Sequence, residues 1–168
     1  KMRIPKDSMM GKPGEGFKKF LKTLVSGRIS IGALSLGTAI GAYEKALNYS
    51  CERKSFGKTI NKFQSIAFKL ADMATKIESS KHLVYNAAWL QDQGFDVTKE
   101  AAMAKLQSSE AAMDIATEAI QIMGANGYVR EGKVERYFRD AKILEIGEGT
   151  SEIQRIIISR KLIENYKS

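Results

Sequence analysis

Proline constrains this chain more than any other feature. Pro5 and Pro13 are the only two, and none follows Pro13. Proline removes a backbone donor and clashes with the preceding helical turn, so the chain beyond Pro13 is free to be helical throughout. Punctuation falls to glycine. Met10-Gly-Lys-Pro-Gly-Glu-Gly16 reads as a loop, and Lys1 to Ser8 reads as the end of a strand and a turn, as if continuing from something earlier. The expectation is an all-α body behind a short irregular N-terminal lead.

Apolar periodicity divides that body into helices. The first is expected from Phe17 to about Arg53, with a small-residue middle in which Gly37 and Gly41 share a face and invite a neighbouring helix close. Its apolar stretch, between Arg28 and Glu44, is too short to span a membrane. A loop is expected over Glu52–Asn61. A second helix carries Phe63, Ile66, Leu70, Met73, Ile77, Val84 and Ala88 on one stripe and ends near Gly94. The third opens at Thr98, presents Ala101, Ala104, Ser108, Ala111, Ile115, Ala119 and Ile122, and stops at Gly124-Ala-Asn-Gly127. A short segment from Val134 to Lys142 and a last helix from Ser151 to Tyr166 complete the set, with Ile153, Ile156, Ile157 and Ile163 expected to face inward. Long helices joined by short loops make an antiparallel helical bundle.

Chemistry-bearing side chains are few. One cysteine (Cys51) and one histidine (His82) support neither a disulfide within the chain nor a zinc site nor a Ser-His-Asp device, so no metal is expected. His82 reads as a surface residue of its helix. The net charge of +8 would suit nucleic acid, an acidic membrane or a phosphate-bearing ligand. No nucleic-acid signature accompanies it, and a solvated lysine surface explains it equally well.

One stretch invites a catalytic reading. In Ile143-Leu-Glu-Ile-Gly-Glu-Gly-Thr-Ser-Glu-Ile-Gln154, Glu148 stands between two glycines just before a helix start, and Ser151 with Gln154 has the spacing of a capping box. Flanking glycines permit a sharp turn and a close ligand, and a helix N-terminus favours a nearby carboxylate. A carboxylate so mounted could serve as a general base. On local grounds alone, a glutamate between two glycines before a helix is usually an ordinary turn residue.

Several motifs together go further. Gly27-Arg28, Glu52-Arg-Lys-Ser-Phe-Gly57, Phe63-Gln64, Leu70-Ala-Asp-Met73, Gln121-Ile-Met-Gly124, Asn126-Gly-Tyr128, Arg139-Asp-Ala-Lys-Ile143 and Glu148-Gly-Thr-Ser-Glu-Ile-Gln-Arg155 occur in this order. The series resembles the C-terminal helical domain of acyl-CoA dehydrogenases over nearly the whole chain. The resemblance implies that residues 1–16 are the tail end and linker of a missing middle β-domain, and that residues 17–168 form the helical-bundle domain. It implies α,β-dehydrogenation of an acyl-CoA thioester with FAD as cofactor and Glu148 as the base that takes the α-proton. Arg28 and Gly149 match positions beside the substrate. Arg53, Ser55, Phe56, Gln64, the segment Gln121, Ile122, Met123, Gly124 and Ala125, and then Thr150 and Glu152 match FAD contacts, several of them reached from a neighbouring subunit.

The same resemblance implies a homo-oligomer, dimeric or tetrameric, with an electron-transfer flavoprotein as electron acceptor. It also implies a cytoplasmic home in a bacterium or a mitochondrial-matrix home in a eukaryote. Three positions depart from the family pattern: Val25 in place of an aspartate, Ala125 in place of the second glycine of a pair, and Gly147 in place of an aromatic that would otherwise narrow the acyl pocket. Gly27 occupies the position where some members carry their base, which leaves Glu148 for that role. An acyl-CoA oxidase-like flavoprotein stays open as an alternative, as does a non-catalytic helical oligomerisation module for these residues alone.

Overall fold

A computed structural model describes residues 1–167; Ser168, the last residue of the expected domain, lies outside them. Helix α1 (Gly16–Glu52) is followed by a two-stranded hairpin, β1 (Lys54–Ser55) and β2 (Lys58–Thr59). Then come α2 (Gln64–Asp92), α3 (Thr98–Met123), a single turn α4 (Ala125–Tyr128), α5 (Glu135–Ile146) and α6 (Ser151–Lys167). The expected antiparallel bundle is what forms. At 37 residues, α1 is about 55 Å long and supplies the spine of the domain.

The bundle closes where two small-residue faces meet. From α1, Gly32, Ser35, Leu36, Ala39, Ala42 and Ala46 are buried at three- and four-residue spacing. From α3, Ala101, Ala104, Ser108, Ala112, Ile115, Ala119 and Ile122 answer them. Small side chains let two helix axes approach closely over a long contact, and α1–α3 is the most extensive interface in the domain. By length and composition α1 could cross a membrane, and in this fold its apolar stripe is used in packing. Of the two glycines singled out, Gly41 lies against the Tyr137 ring of α5, whereas Gly37 is exposed and nothing approaches it.

Leu70, Met73 and Val84 bury the inner stripe of α2, with Phe63, Ile66, Ile77 and Ala88 half-buried beside them. Ion pairs Lys69–Glu118 and Lys76–Asp114 bridge the outer edges of α2 and α3. His82 is exposed, as read.

Four local expectations are corrected. The N-terminal lead holds no strand; it is exposed chain with one 3-10 turn at Lys6–Ser8, because no neighbouring strand pairs with it among the described residues. The expected loop after α1 contains the hairpin, with Lys54 opposite Thr59 and Ser55 opposite Lys58. Its tip residues Phe56 and Gly57 have φ of 48° and 80°, the double left-handed tip that matches strand twist. The expected short segment begins at Glu135 and runs on to Ile146, a full turn beyond Lys142.

The last correction concerns α6. Ile153, Ile156 and Ile163 are exposed and only Ile157 is half-buried, because α6 touches the rest of the chain along one narrow face against α3. Apart from Ser151 and Gln154, that attachment is electrostatic at its edges: Arg155 Nη2 donates to Glu110 Oε1 at 2.6 Å and Lys161 Nζ to Asp96 Oδ2 at 3.3 Å.

Candidate active site

Helices α5 and α6 are joined by Gly147-Glu148-Gly149-Thr150, and this loop carries the candidate base. The glycines do not share the conformational work equally. Gly147 has φ −61° and ψ 151°, open to any residue, and an added Cβ would meet only the Ile143 carbonyl at 3.4 Å. The left-handed positions are Glu148 itself (φ 56°) and Gly149 (φ 99°). A glutamate rarely adopts that conformation, which costs on the order of 1–2 kcal/mol and persists where its surroundings hold it.

The expected capping box does not form. Ser151 is already inside α6, and Gln154 is buried and turns back to the loop. Its Nε2 donates to the Gly149 carbonyl at 2.8 Å and to the Glu148 carbonyl at 3.3 Å. From the other side, Lys105 of α3 donates from Nζ to the Glu145 carbonyl at 2.8 Å and the Gly149 carbonyl at 2.9 Å. Sequence reading missed Lys105. The available signal was its place on the same helix face as Ala101, Ala104 and Ser108.

So mounted, the Glu148 carboxylate lies against α1 at Gly27. A Cβ built on Gly27 would stand 2.6 Å from Oε2 and 2.8 Å from Cδ, so no larger residue fits while the carboxylate stays put. The neighbouring Arg28 is buried. Burial lowers its guanidinium pKa and the Glu148 carboxylate works in the opposite direction. Arg28 Nε and Glu148 Oε2 are both buried and have no hydrogen-bond partner among the described residues. Buried polar atoms in folded proteins nearly always find partners, so orphaned ones in a cleft point to a ligand that supplies them.

A cleft of about 590 Å³ opens beside Arg28, lined also by Lys18, Lys19, Lys22, Val25 and Ile157 among others. Three of the N-terminal lysines, Lys18, Lys19 and Lys22, are thus gathered at one cleft, where Lys19 pairs with Glu15 at 3.3 Å. Val25, where the family pattern has an acid, leaves the cleft without a carboxylate at this point.

The expected flavin contacts fall into separate groups. Arg53, Ser55 and Gln121 to Ala125 line one cleft of about 300 Å³, together with Tyr49, Ile60 and Asn126. Asn126 Nδ2 donates to the Tyr49 hydroxyl at 3.0 Å, tying α4 to α1 across the cleft floor. Gly124 ends α3 with φ 59°, and a Cβ there would meet nothing, so its backbone is open to a ligand. A guanidinium, a hydroxyl, an amide and bare backbone form a donor set suited to a dinucleotide's phosphate or base. Phe56 is 94% exposed at the hairpin tip, edge-on to Phe63, and does not line this cleft. Gln64 is exposed at the start of α2. Thr150 and Glu152 stand at the start of α6, beside the base loop, where the Glu152 carboxyl is held below its ordinary range by its own backbone N–H and by the Thr150 hydroxyl.

A family model for the acyl-CoA dehydrogenase C-terminal domain matches residues 14–163. The human mitochondrial short-chain specific acyl-CoA dehydrogenase is 52% identical over 166 residues, covering 99% of this chain and 40% of its own. A subunit, CarC, of the caffeyl-CoA reductase–Etf complex of Acetobacterium woodii is 47% identical over 163 residues, covering 97% and 43%. The solved structure of butyryl-CoA dehydrogenase from Megasphaera elsdenii superposes with a TM-score of 0.94 at 46% identity, covering 95% of this chain and 42% of that one. The chain spans about two-fifths of the length of the curated relatives it matches.

Proposed function

This chain belongs to the acyl-CoA dehydrogenase family as its C-terminal domain, and on that premise we propose that it carries the base of an α,β-dehydrogenation of an acyl-CoA thioester. Glu148 takes the proton from the α-carbon, and the product is the 2-enoyl thioester. Bound FAD supplies the acceptor for the hydride that leaves the β-carbon. The single observation behind this reading is the orphaned Glu148 Oε2, buried against Gly27 beside Arg28, whose side chain lines a cleft large enough for a ligand.

Each residue's part follows from its position. The strained Glu148 loop offers the carboxylate and its own backbone N–H from one residue, so the group that takes the proton and a donor to the thioester carbonyl move together. A donor placed where negative charge develops is worth most in a water-poor site. Gly149, with no side chain, lets the thioester lie against the loop. Arg28 adds a buried positive charge next to the base, and the lysines of the adjoining wall suit the phosphates of the CoA portion. Arg53, Ser55 and the 121–125 segment hold FAD, with Gln64, Phe56, Thr150 and Glu152 as further contacts, several of them serving a flavin shared with a second copy of the protein.

The names of the relatives support a short acyl chain as substrate. The Etf complex to which one of them belongs supports an electron-transfer flavoprotein as the onward electron acceptor. Replacement of Glu148 by Gln in the full-length enzyme keeps the side chain's size and removes its basicity. FAD should remain bound, and anaerobic butyryl-CoA should no longer bleach it. Bleaching at the normal rate would overturn the base assignment.

A further inference from the structure

We propose that Lys105 is the positioning residue for the base: its ammonium sets where the Glu148 loop stands, a role that rests on Glu148 being the base. The side chain is fully buried on the α3 face that meets α5 and α6. Its Nζ donates to the Glu145 carbonyl at 2.8 Å and to the Gly149 carbonyl at 2.9 Å. These two acceptors bracket Glu148. One lies in the last turn of α5 and the other directly follows the base, so a single cation fixes both ends of the three-residue span between them.

The chemistry favours this role over simple filling. Burying an ammonium is costly unless its donors are satisfied, and its neighbours along this face are Ala101, Ala104 and Ser108, where an apolar residue would pack at less cost. Two carbonyls take two of its three N–H donors, one of them at a helix C-terminus, the negative end of the helix dipole. Burial nonetheless pulls the Lys105 pKa down, while the carboxylates of Glu145 and Glu110 push it up. The Gly149 carbonyl receives a second donor, Gln154 Nε2 at 2.8 Å, from α6. Held from α3 and α6 at once, that peptide has little freedom to turn, and Glu148 at φ 56° is kept in a conformation it would otherwise leave.

Lys105 touches neither the carboxylate nor the cleft beside Arg28. Its loss should therefore slow proton removal without weakening substrate binding. The test uses the flavin-loaded full-length enzyme, mixed anaerobically with butyryl-CoA in a stopped-flow instrument across a range of concentrations. Lys105→Met keeps an unbranched side chain, one atom shorter, and lacks its donors. It should lower the limiting bleaching rate on the order of a hundredfold, with half-saturation changed less than about threefold. Lys105→Gln, which retains two N–H donors on a shorter arm, should recover about a tenfold part of that loss. If the methionine variant fails to assemble with FAD, the glutamine variant decides alone, at about a tenth of the wild-type rate.

Bleaching by Lys105→Met (or by Lys105→Gln, where it decides alone) within about twofold of wild type would overturn the proposal, as would an equal loss in rate and in substrate binding. Where both variants assemble, a glutamine variant no faster than the methionine one would do the same. Glu148→Gln, run in parallel, separates the two readings. If it bleaches normally, the base assignment has failed; if it is inert while Lys105→Met is normal, only the positioning role has failed.

Discussion

Gly27 shows how closely the Glu148 carboxylate, the proposed base, is bound to its surroundings. The residue is helical, so glycine there forfeits roughly 0.5–1 kcal/mol of helix stability relative to alanine. The reason for its presence is steric: the Glu148 carboxylate occupies the space a Cβ would need, 2.6 Å from Oε2. Alanine should therefore fold at least as well and push the carboxylate aside. Gly27→Ala is expected to leave the melting temperature of the full-length enzyme within a few degrees of wild type while slowing flavin bleaching on the order of a hundredfold. Normal bleaching would mean that the carboxylate reaches the substrate from some other position. Gly147, by contrast, is not required by its backbone, and the room beside it is consistent with an acyl pocket left wider there.

Helix α3 is the element on which the site is built, since it supplies Lys105, packs on α1 and receives α6. Its start is held by Asp96, whose Oδ1 accepts from the Thr98 backbone N–H at 3.1 Å and from the Thr98 hydroxyl at 2.5 Å. Asp96 Oδ2 also takes the Lys161 ammonium, so one exposed carboxylate links the beginnings of α3's fold to α6. The Thr98 hydroxyl, then its backbone N–H, and less strongly Lys161, hold the Asp96 carboxyl below its ordinary value of 3.8. A depressed acid stabilises the fold above its unfolded value and loses that contribution as the pH falls through the lower folded value. Asp96→Ala should cost about 0.5–1 kcal/mol near neutral pH, the low end for a cap because the group is exposed and screened. Urea midpoints of mutant and wild type should differ at neutral pH and converge below the folded value. A gap that persists in acid would show that the carboxylate's charge is not the cause.

Elements of this kind were legible in the sequence to different degrees. The faces of α2 and α3 followed from apolar spacing, since each has one stripe to bury, whereas of the face read for α1 only Gly41 meets a neighbour and Gly37 is exposed. Helix α6 has apolar residues on every side, so its period gave no direction, and Ile153, Ile156 and Ile163 are exposed while Ile157 and Ile158 are half-buried. The hairpin after α1 lacked the Asn-Gly or Asp-Gly pair that announces such a turn. Lys105 was hidden by its type, because a lysine on a helix is nearly always at the surface.

At the scale of the whole molecule, the site residues sort into a base region, closed by α1, α3, α5 and α6, and a separate cleft between the end of α1 and the end of α3. Motif order named Arg53, Ser55 and Gln121 to Ala125, which line one cleft together, and Glu148, but it gave no sign of Lys105, which holds the Glu148 loop from some forty residues away. The cleft is open on its outer side, and Arg53 on its rim is exposed and forms no ion pair among the described residues. Its side chain therefore does little for the fold, and truncation of such a residue typically changes stability by no more than about 0.5 kcal/mol. If the guanidinium instead binds a flavin phosphate, its loss should appear in cofactor retention. Arg53→Ala in the full-length enzyme should purify with clearly less FAD and rebind it more weakly, while the flavin-free protein melts with wild-type behaviour. Full flavin content in the variant would remove Arg53 from the cofactor site, whereas a parallel loss of thermal stability in the flavin-free protein would make its role structural.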